Sequence, residues 1–173
     1  MSAGAAGGDV LSFDTKGVEV MIKALNRVGE SPQKAVNKAT SKAILIVKRA
    51  ARINAPKGKT RTLQKSIVVR AEKNHGVKGK KVRQVTFNSE ANAQLQRPIR
   101  EPGKLGGQNP KAYYPASQEY GFLARAPGGG VQYIPGKYYM RSAAEQTGAE
   151  AKGLMIEIME TELEKLWQEA SHS

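Results

Sequence analysis

The sequence predicts an α/β fold of the α+β kind: a small antiparallel sheet packed against two or three helices, with long loops and a flexible N-terminal arm. Three observations lead there. Apolar residues recur at helical intervals in two long stretches, 32–53 and 140–170. Between them lie two short β-branched runs, joined by a basic, glycine-punctuated turn in the manner of a hairpin. The 18 glycines and 8 prolines gather in segments that lack periodicity, which marks loops. At 173 residues the chain suits one compact domain, so the expected organisation is an arm over 1–16 followed by a single domain over 17–173.

The opening MSAGAAGGDV has neither a basic nor an apolar region of the secretory type and reads as a flexible arm. GVEVMIKALNRVG (17–29) then places Val18, Ile22, Leu25 and Val28 near one helical face, with Gly29 as a stop. The next helix starts more sharply, with Ser31 as N-cap and Pro32 in the first turn. Val36, Ala39, Ala43, Ile46, Val47 and Ala50 form its apolar stripe, opposite Lys34, Lys38, Lys42, Lys48, Arg49 and Arg52. Leu45 sits on the basic face, which suggests that this face meets a partner. Pro56 ends the helix near Asn54, because a residue before proline is pushed out of the α region.

Leu63 to Glu72 contains SIVVRA and reads as a strand; VRQVTFN (82–88) returns from the basic tip 73–81. Residues 89–111 carry prolines and glycines without apolar periodicity and are expected as a long loop. KAYYPASQEYG (111–121) is aromatic-rich and is expected to be extended. A glycine run at 128–130 makes another loop, Tyr133 to Pro135 adds a short strand, and a C-terminal helix fills 140–170. Its stripe drifts from Ala143, Ala144, Leu154 and Ile158 to Met155, Met159, Leu163 and Leu166.

The net charge of +13 is unevenly spread. Between Ser31 and Lys111 the acids are Glu72, Glu90 and Glu101 alone, amid many lysines and arginines. From Ala149 onward the balance reverses, with Glu150, Glu157, Glu160, Glu162, Glu164 and Glu169 against Lys152 and Lys165. A basic body with an acidic tail suits nucleic acid, an acidic partner, or head-to-tail docking of copies. The longest purely apolar run is Ala43 to Val47, far short of the roughly 20 residues a membrane span needs, so no membrane partner is expected.

Chemistry finds little to work with. There is no cysteine, which removes disulfides, thiolate nucleophiles and thiolate metal sites and suits a reducing cytoplasm. His75 and His172 stand in a basic turn and near the chain end, without metal-ligand spacing or an evident orienting group. Gly58-Lys59-Thr60 resembles the end of a phosphate-binding loop, but Ile53 occupies the position where that motif needs its first glycine. No catalytic residue, cofactor or metal is therefore expected. The basic residues Lys78, Lys80, Lys81, Arg97, Arg100 and Lys104 are candidate subunit or partner contacts, as are Glu157, Glu160 and Glu164 on the acidic helix. No helix-turn-helix, zinc-finger or RNA-recognition motif accompanies them, and Phe87 alone among the aromatics lies near the basic tip.

Three segments, in order, resemble the tail-completion or head–tail joining (neck) proteins of long-tailed bacteriophages. APKGKTRTLQKSI follows the long helix, with Ala55, Pro56, Thr60, Leu63, Ser66 and Ile67 at the matching positions. The family's usual glycine after the threonine is Arg61 here, and the turn is one residue longer. YYPASQEYG matches a Tyr…Glu-aromatic-Gly pattern through Tyr114, Glu119, Tyr120 and Gly121. IPGKYYMRSAAE matches a motif that opens the last helix, through Pro135, Tyr139, Met140, Arg141 and Ala143, with Ser142 in place of the commoner proline.

The resemblance implies a non-enzymatic structural virion protein, assembled in the bacterial host cytoplasm and placed in the neck or tail. It implies a homo-oligomeric ring, six copies being the expectation, between the head connector or adaptor and the tail terminator or tail tube. Genomic DNA in the channel would then lie near the basic loops. The competing expectation is a basic nucleic-acid-binding module of histone-like or ribosomal type. On physical grounds, Gly121 is expected to supply a positive φ. Arg141 opposes the dipole at a helix start and needs a carboxylate, for which Glu119 is the candidate.

Overall fold

A computed structural model describes residues 33–72, 81–99 and 111–171. The expected arm 1–16, the helix 17–29, the cap residues Ser31 and Pro32, the hairpin tip 73–80 and residues 100–110 lie outside the described residues. The protein is a mixed α/β chain of helices and small antiparallel two-stranded sheets. In chain order the elements are α1 (Gln33–Asn54), α2 (Thr62–Ser66), β1 (Ile67–Ala71) and β2 (Arg83–Phe87). A 3-10 turn at Ser89–Ala91 leads to α3 (Asn92–Leu95) and β3 (Gln96–Pro98). Then come β4 (Lys111–Tyr113), α4 (Tyr114–Tyr120), β5 (Gly121–Arg125), β6 (Val131–Pro135) and α5 (Tyr139–Ser171). Pairing is local: β1 with β2, β3 with β4, β5 with β6.

Two compact units divide the described residues. The first takes those up to Lys48, Val69–Thr86, and those from Thr147 onward; the second takes Arg49–Val68 and Phe87–Gln146. In the first, α1 buries Ala35, Val36, Ala39, Ala43, Ile44 and Val47, β2 buries Val85, and α5 buries Ala151, Met155 and Met159. Thr40 is buried too, its hydroxyl satisfied by donating to the Val36 carbonyl at 2.7 Å. The buried stripe of α1 is rotated slightly from the expected one. Ile44 is buried where Ile46 was expected, because the alanine-lined side admits close packing while Ile46 stays half-exposed.

The second unit is built around the ends of the long helices. Ala51, Ala55, Leu63, Ile67, Leu95, Pro115, Tyr139 and Ala143 are its buried apolar residues. Gln64 donates to the Arg52 carbonyl at 2.7 Å, capping a C-terminal carbonyl of α1 that has no partner within the helix. The Arg52 guanidinium in turn donates to the Ile67 carbonyl, at 2.7 Å from Nη2 and 3.2 Å from Nε.

Three sequence expectations need correction. Leu63 and Ser66 stand in the short helix α2, and the strand begins only at Ile67. Ser66 donates its hydroxyl to the Leu63 carbonyl at 2.8 Å, a local bond that favours a helical turn over a strand. The segment 111–121 is extended only as far as Tyr113. Pro115 fits the first turn of a helix, where its missing N–H costs nothing, and Tyr114–Tyr120 is helical. The long segment 89–111 carries the 3-10 turn, α3 and β3 on its near side, and β3 pairs with β4 in register Gln96↔Tyr113, Arg97↔Ala112, Pro98↔Lys111. Elements of three and four residues are too short to show periodicity, so composition alone reads as loop.

Candidate assembly surface

The second and third sequence segments fold against each other within the second unit. Glu119, at the end of α4, is 6% exposed. Its two carboxylate oxygens accept from the backbone amides of Met140 (2.9 Å) and Arg141 (3.1 Å), in the first turn of α5. Those amides have no partner inside the helix, and the positive end of the helix dipole favours an anion there. The expected meeting of Glu119 and Arg141 thus runs through the backbone of Arg141. The Arg141 guanidinium donates from Nε to Glu145 one turn on, at 2.9 Å, on an exposed face.

The clasp continues along the backbone. Tyr138 N–H donates to the Glu119 carbonyl at 3.0 Å, and Lys137 N–H donates to Gln118 at 2.8 Å. A Cβ on Gly136 would collide with the Glu119 carbonyl, so only glycine allows this approach. Tyr139 is 1% exposed and points its hydroxyl toward the Pro115 carbonyl at 3.4 Å. Burial above all, and then the charge of Glu119, raise its phenol well above the usual range.

From this clasp projects the β5–β6 ribbon. Gly121 opens it at φ 96°, the positive value expected of it, and the Tyr133 hydroxyl donates to the Tyr120 carbonyl. The register Gly121↔Pro135, Leu123↔Tyr133 and Arg125↔Val131 puts these six residues on one face. Leu123 is 47% exposed, Tyr133 56% and Val131 51%. Phe122, on the other face, is also exposed. The turn at Ala126–Gly130 closes on a bond from Ala126 N–H to the Gly130 carbonyl, with Gly129 and Gly130 at positive φ. A two-stranded ribbon is marginally stable in water, and this one leaves apolar side chains uncovered. Sequence reading passed over Phe122, Leu123, Val131, Gly136 and Tyr138; the alternation in VQYIP opposite GFLAR was the available signal.

The first segment also lies in the second unit, at the foot of α1. Ala55, Leu63, Ser66 and Ile67 are buried there, Pro56 is half-buried, and the Thr60 hydroxyl accepts from Thr62 at 2.8 Å. Arg61 adopts φ 52°, ψ 24°, the left-handed conformation.

The basic and acidic candidates separate into several places. Lys78, Lys80, Arg100 and Lys104 lie outside the described residues, as do His75 and His172. Arg97 is exposed, donates to the carbonyls of Gln94 (2.8 Å) and Gln96 (3.2 Å), and lies over the Tyr114 ring at 5.7 Å. Lys81 borders a cavity of about 20 Å³ with Thr40, Ala43, Ile44, Val82, Arg83, Ala151 and Met155, room for one water. Arg83 Nε is buried beside it without a hydrogen-bond partner among the described residues. Glu157, Glu160 and Glu164 are exposed on α5. Among the described residues no group of three His, Cys, Asp or Glu is placed to hold a metal, and no helix is long and apolar enough to cross a membrane.

Set against known proteins, the chain matches no family model, no curated protein and no solved structure.

Proposed function

We propose that this chain is a structural virion protein of a long-tailed phage neck. It forms a homo-oligomeric ring, six copies by the family resemblance, that joins the head connector or adaptor to the tail or completes the tail. The observation that carries the reading is the convergence of two of the three resembling segments on one clasp, Glu119 against the start of α5. That clasp anchors a ribbon whose apolar face stands in solvent. A ribbon of this kind gains stability when a neighbouring subunit or adjacent ring covers it. The left-handed Arg61 adds support, since it stands where the family has glycine. In this reading the basic loops lie near channel DNA without reading its sequence, and the protein performs no catalysis.

Mass by light scattering, at about 0.05 and about 0.15 M salt, with and without short duplex DNA, tests the reading. The expected result is a discrete closed oligomer whose mass ignores the duplex. Leu123→Asp with Val131→Asp should dissolve it while leaving the monomer's melting curve in place. A protein–DNA complex that persists at the higher salt, with log affinity falling linearly in log salt, would select the nucleic-acid module instead.

A further inference from the structure

The first unit carries two exposed helix faces of opposite charge, each with apolar residues set among the charges. On α1 the face is Lys34, Lys38, Lys42 and Leu45; Leu45 is 45% exposed although it is a large apolar residue. On α5 it is Ile156, Glu160, Glu164 and Trp167, the last 65% exposed. Both sets recur at the same intervals along their helices, and each fits within a stripe less than 100° wide, opposite that helix's buried residues. Each runs about 16 Å, from the rise of an α-helix. Laid parallel, Lys38 stands opposite Glu160, Lys42 opposite Glu164, and Leu45 opposite Trp167.

Within the chain these helices already exchange charge at one point: Lys38 Nζ lies 2.7 Å from Glu162, which also takes Lys165 at 3.4 Å. Glu162 sits toward the buried side of α5, so this pair does not involve the outward face of α5. Solvent on both outward faces is an unfavourable setting for Leu45, Ile156 and Trp167, and complementary charge says what each face fits.

We infer that the acidic outer face of α5 in one copy docks on the basic outer face of α1 in the next. The two patches differ, so the contact is heterologous: repeated, it closes a ring or runs on as a filament. This rests on the ring reading above and names the surfaces that close it. The apolar residues supply the area, while the charges set register and direction.

Sedimentation velocity on the full chain tests it, using Lys34→Glu with Lys42→Glu, Glu160→Lys with Glu164→Lys, and the combination of all four. Lys38 and Glu162 are left untouched, so the internal pair survives, and unchanged melting curves verify the fold. Each double variant alone should self-associate about tenfold or more weakly, the change that ~1.4 kcal/mol produces. An equimolar mixture of the two should regain assembly through alternating copies, since each α5 then meets an α1 of opposite charge, and the fourfold variant should regain wild-type assembly. Double variants that assemble like wild type would overturn the contact and leave the ring standing. A salt-sensitive association that the variants abolish but that stops at two copies would keep the charge pairing and sink the ring. A wild-type chain that stays monomeric at every concentration would overturn both. So would one whose α1 lysines prove to bind duplex DNA while no oligomer forms.

Discussion

Replacing Glu119 by alanine removes the carboxylate that closes α4 onto α5, and its cost can be worked from the contacts. Two amides, those of Met140 and Arg141, lose charge-assisted bonds of 2.9 and 3.1 Å in a part-buried setting. Loss of a helix N-cap costs about 1 kcal/mol, and a donor left without a partner away from water adds about 1–3 kcal/mol. The sum is about 2–4 kcal/mol. In a chain of this size each kcal/mol lowers Tm by about 2–4 °C, so a fall of roughly 4–16 °C is expected. Because the contacts divide into two units, a global melt is best paired with a local probe. Hydrogen exchange at the amides of Met140 and Arg141 should speed up in Glu119→Ala, while the Val36–Val47 stretch of α1 exchanges as before. Glu119→Gln keeps one acceptor and loses the charge, and it should fall between the two. A Tm within 2 °C of wild type, with protection unchanged at 140 and 141, would refute the assignment of Glu119 as the cap of α5.

Three further outcomes follow from the same geometry. Arg61→Gly relieves a left-handed residue at φ 52°, and urea unfolding should show a gain of about 0.5–1 kcal/mol, the αL relief less glycine's extra chain entropy; a loss would mean the Arg61 side chain matters more than its backbone. Gly136→Ala drives a methyl into the Glu119 carbonyl and should destabilise by about 3 kcal/mol or more, seen as a Tm drop at least as large as that of Glu119→Ala. The hydrogen bond from Lys38 holds the Glu162 carboxyl below its ordinary range. A carboxylate depressed in the folded state stabilises it above the unfolded pKa and loses that contribution as pH falls through the folded value. The difference in melting between wild type and Glu162→Gln should therefore be full at neutral pH, small because the pair is exposed, and lost progressively as acidification passes the ordinary glutamate range and then the lower folded value. A difference that grows on acidification would contradict the pairing.

What the sequence disclosed depended on element length. The long helices were legible because 22 residues of α1 and 33 of α5 repeat their pattern over many turns, and Pro56 punctuates the first of them. The hairpin strands were legible from β-branched residues around a glycine-rich turn. The short elements were not. α2, α3 and α4 occupy four to seven residues, too few for a helical period, and their existence is decided by tertiary contacts such as Gln64 on Arg52 and Glu119 on α5. The aromatic content of KAYYPASQEYG favoured a strand by local propensity, and packing of Pro115 and Tyr139 overrode it. Leu45 stood out in the sequence as an apolar residue on the basic face, Trp167 was passed over, and both are exposed.

The clasp also explains why the resembling segments lie where they do. Tyr114, Glu119, Tyr120 and Gly121 close one side of a joint, and Pro135, Tyr139 and Arg141 close the other, with the ribbon as the excursion between them. Each half needs the other. Without Glu119 the first turn of α5 has uncapped amides, and without Gly136 the chain cannot come close enough for Glu119 to reach them. The glycines and the carboxylate are therefore requirements of the joint, as is the Tyr133 hydroxyl on the Tyr120 carbonyl, whereas Leu123 and Val131 on the ribbon stand about half exposed. Substitutions in the joint should act on folding, and substitutions of Leu123 and Val131 on the ribbon should act on assembly alone. That separation is what a subunit needs if it must fold first and find its neighbours afterwards.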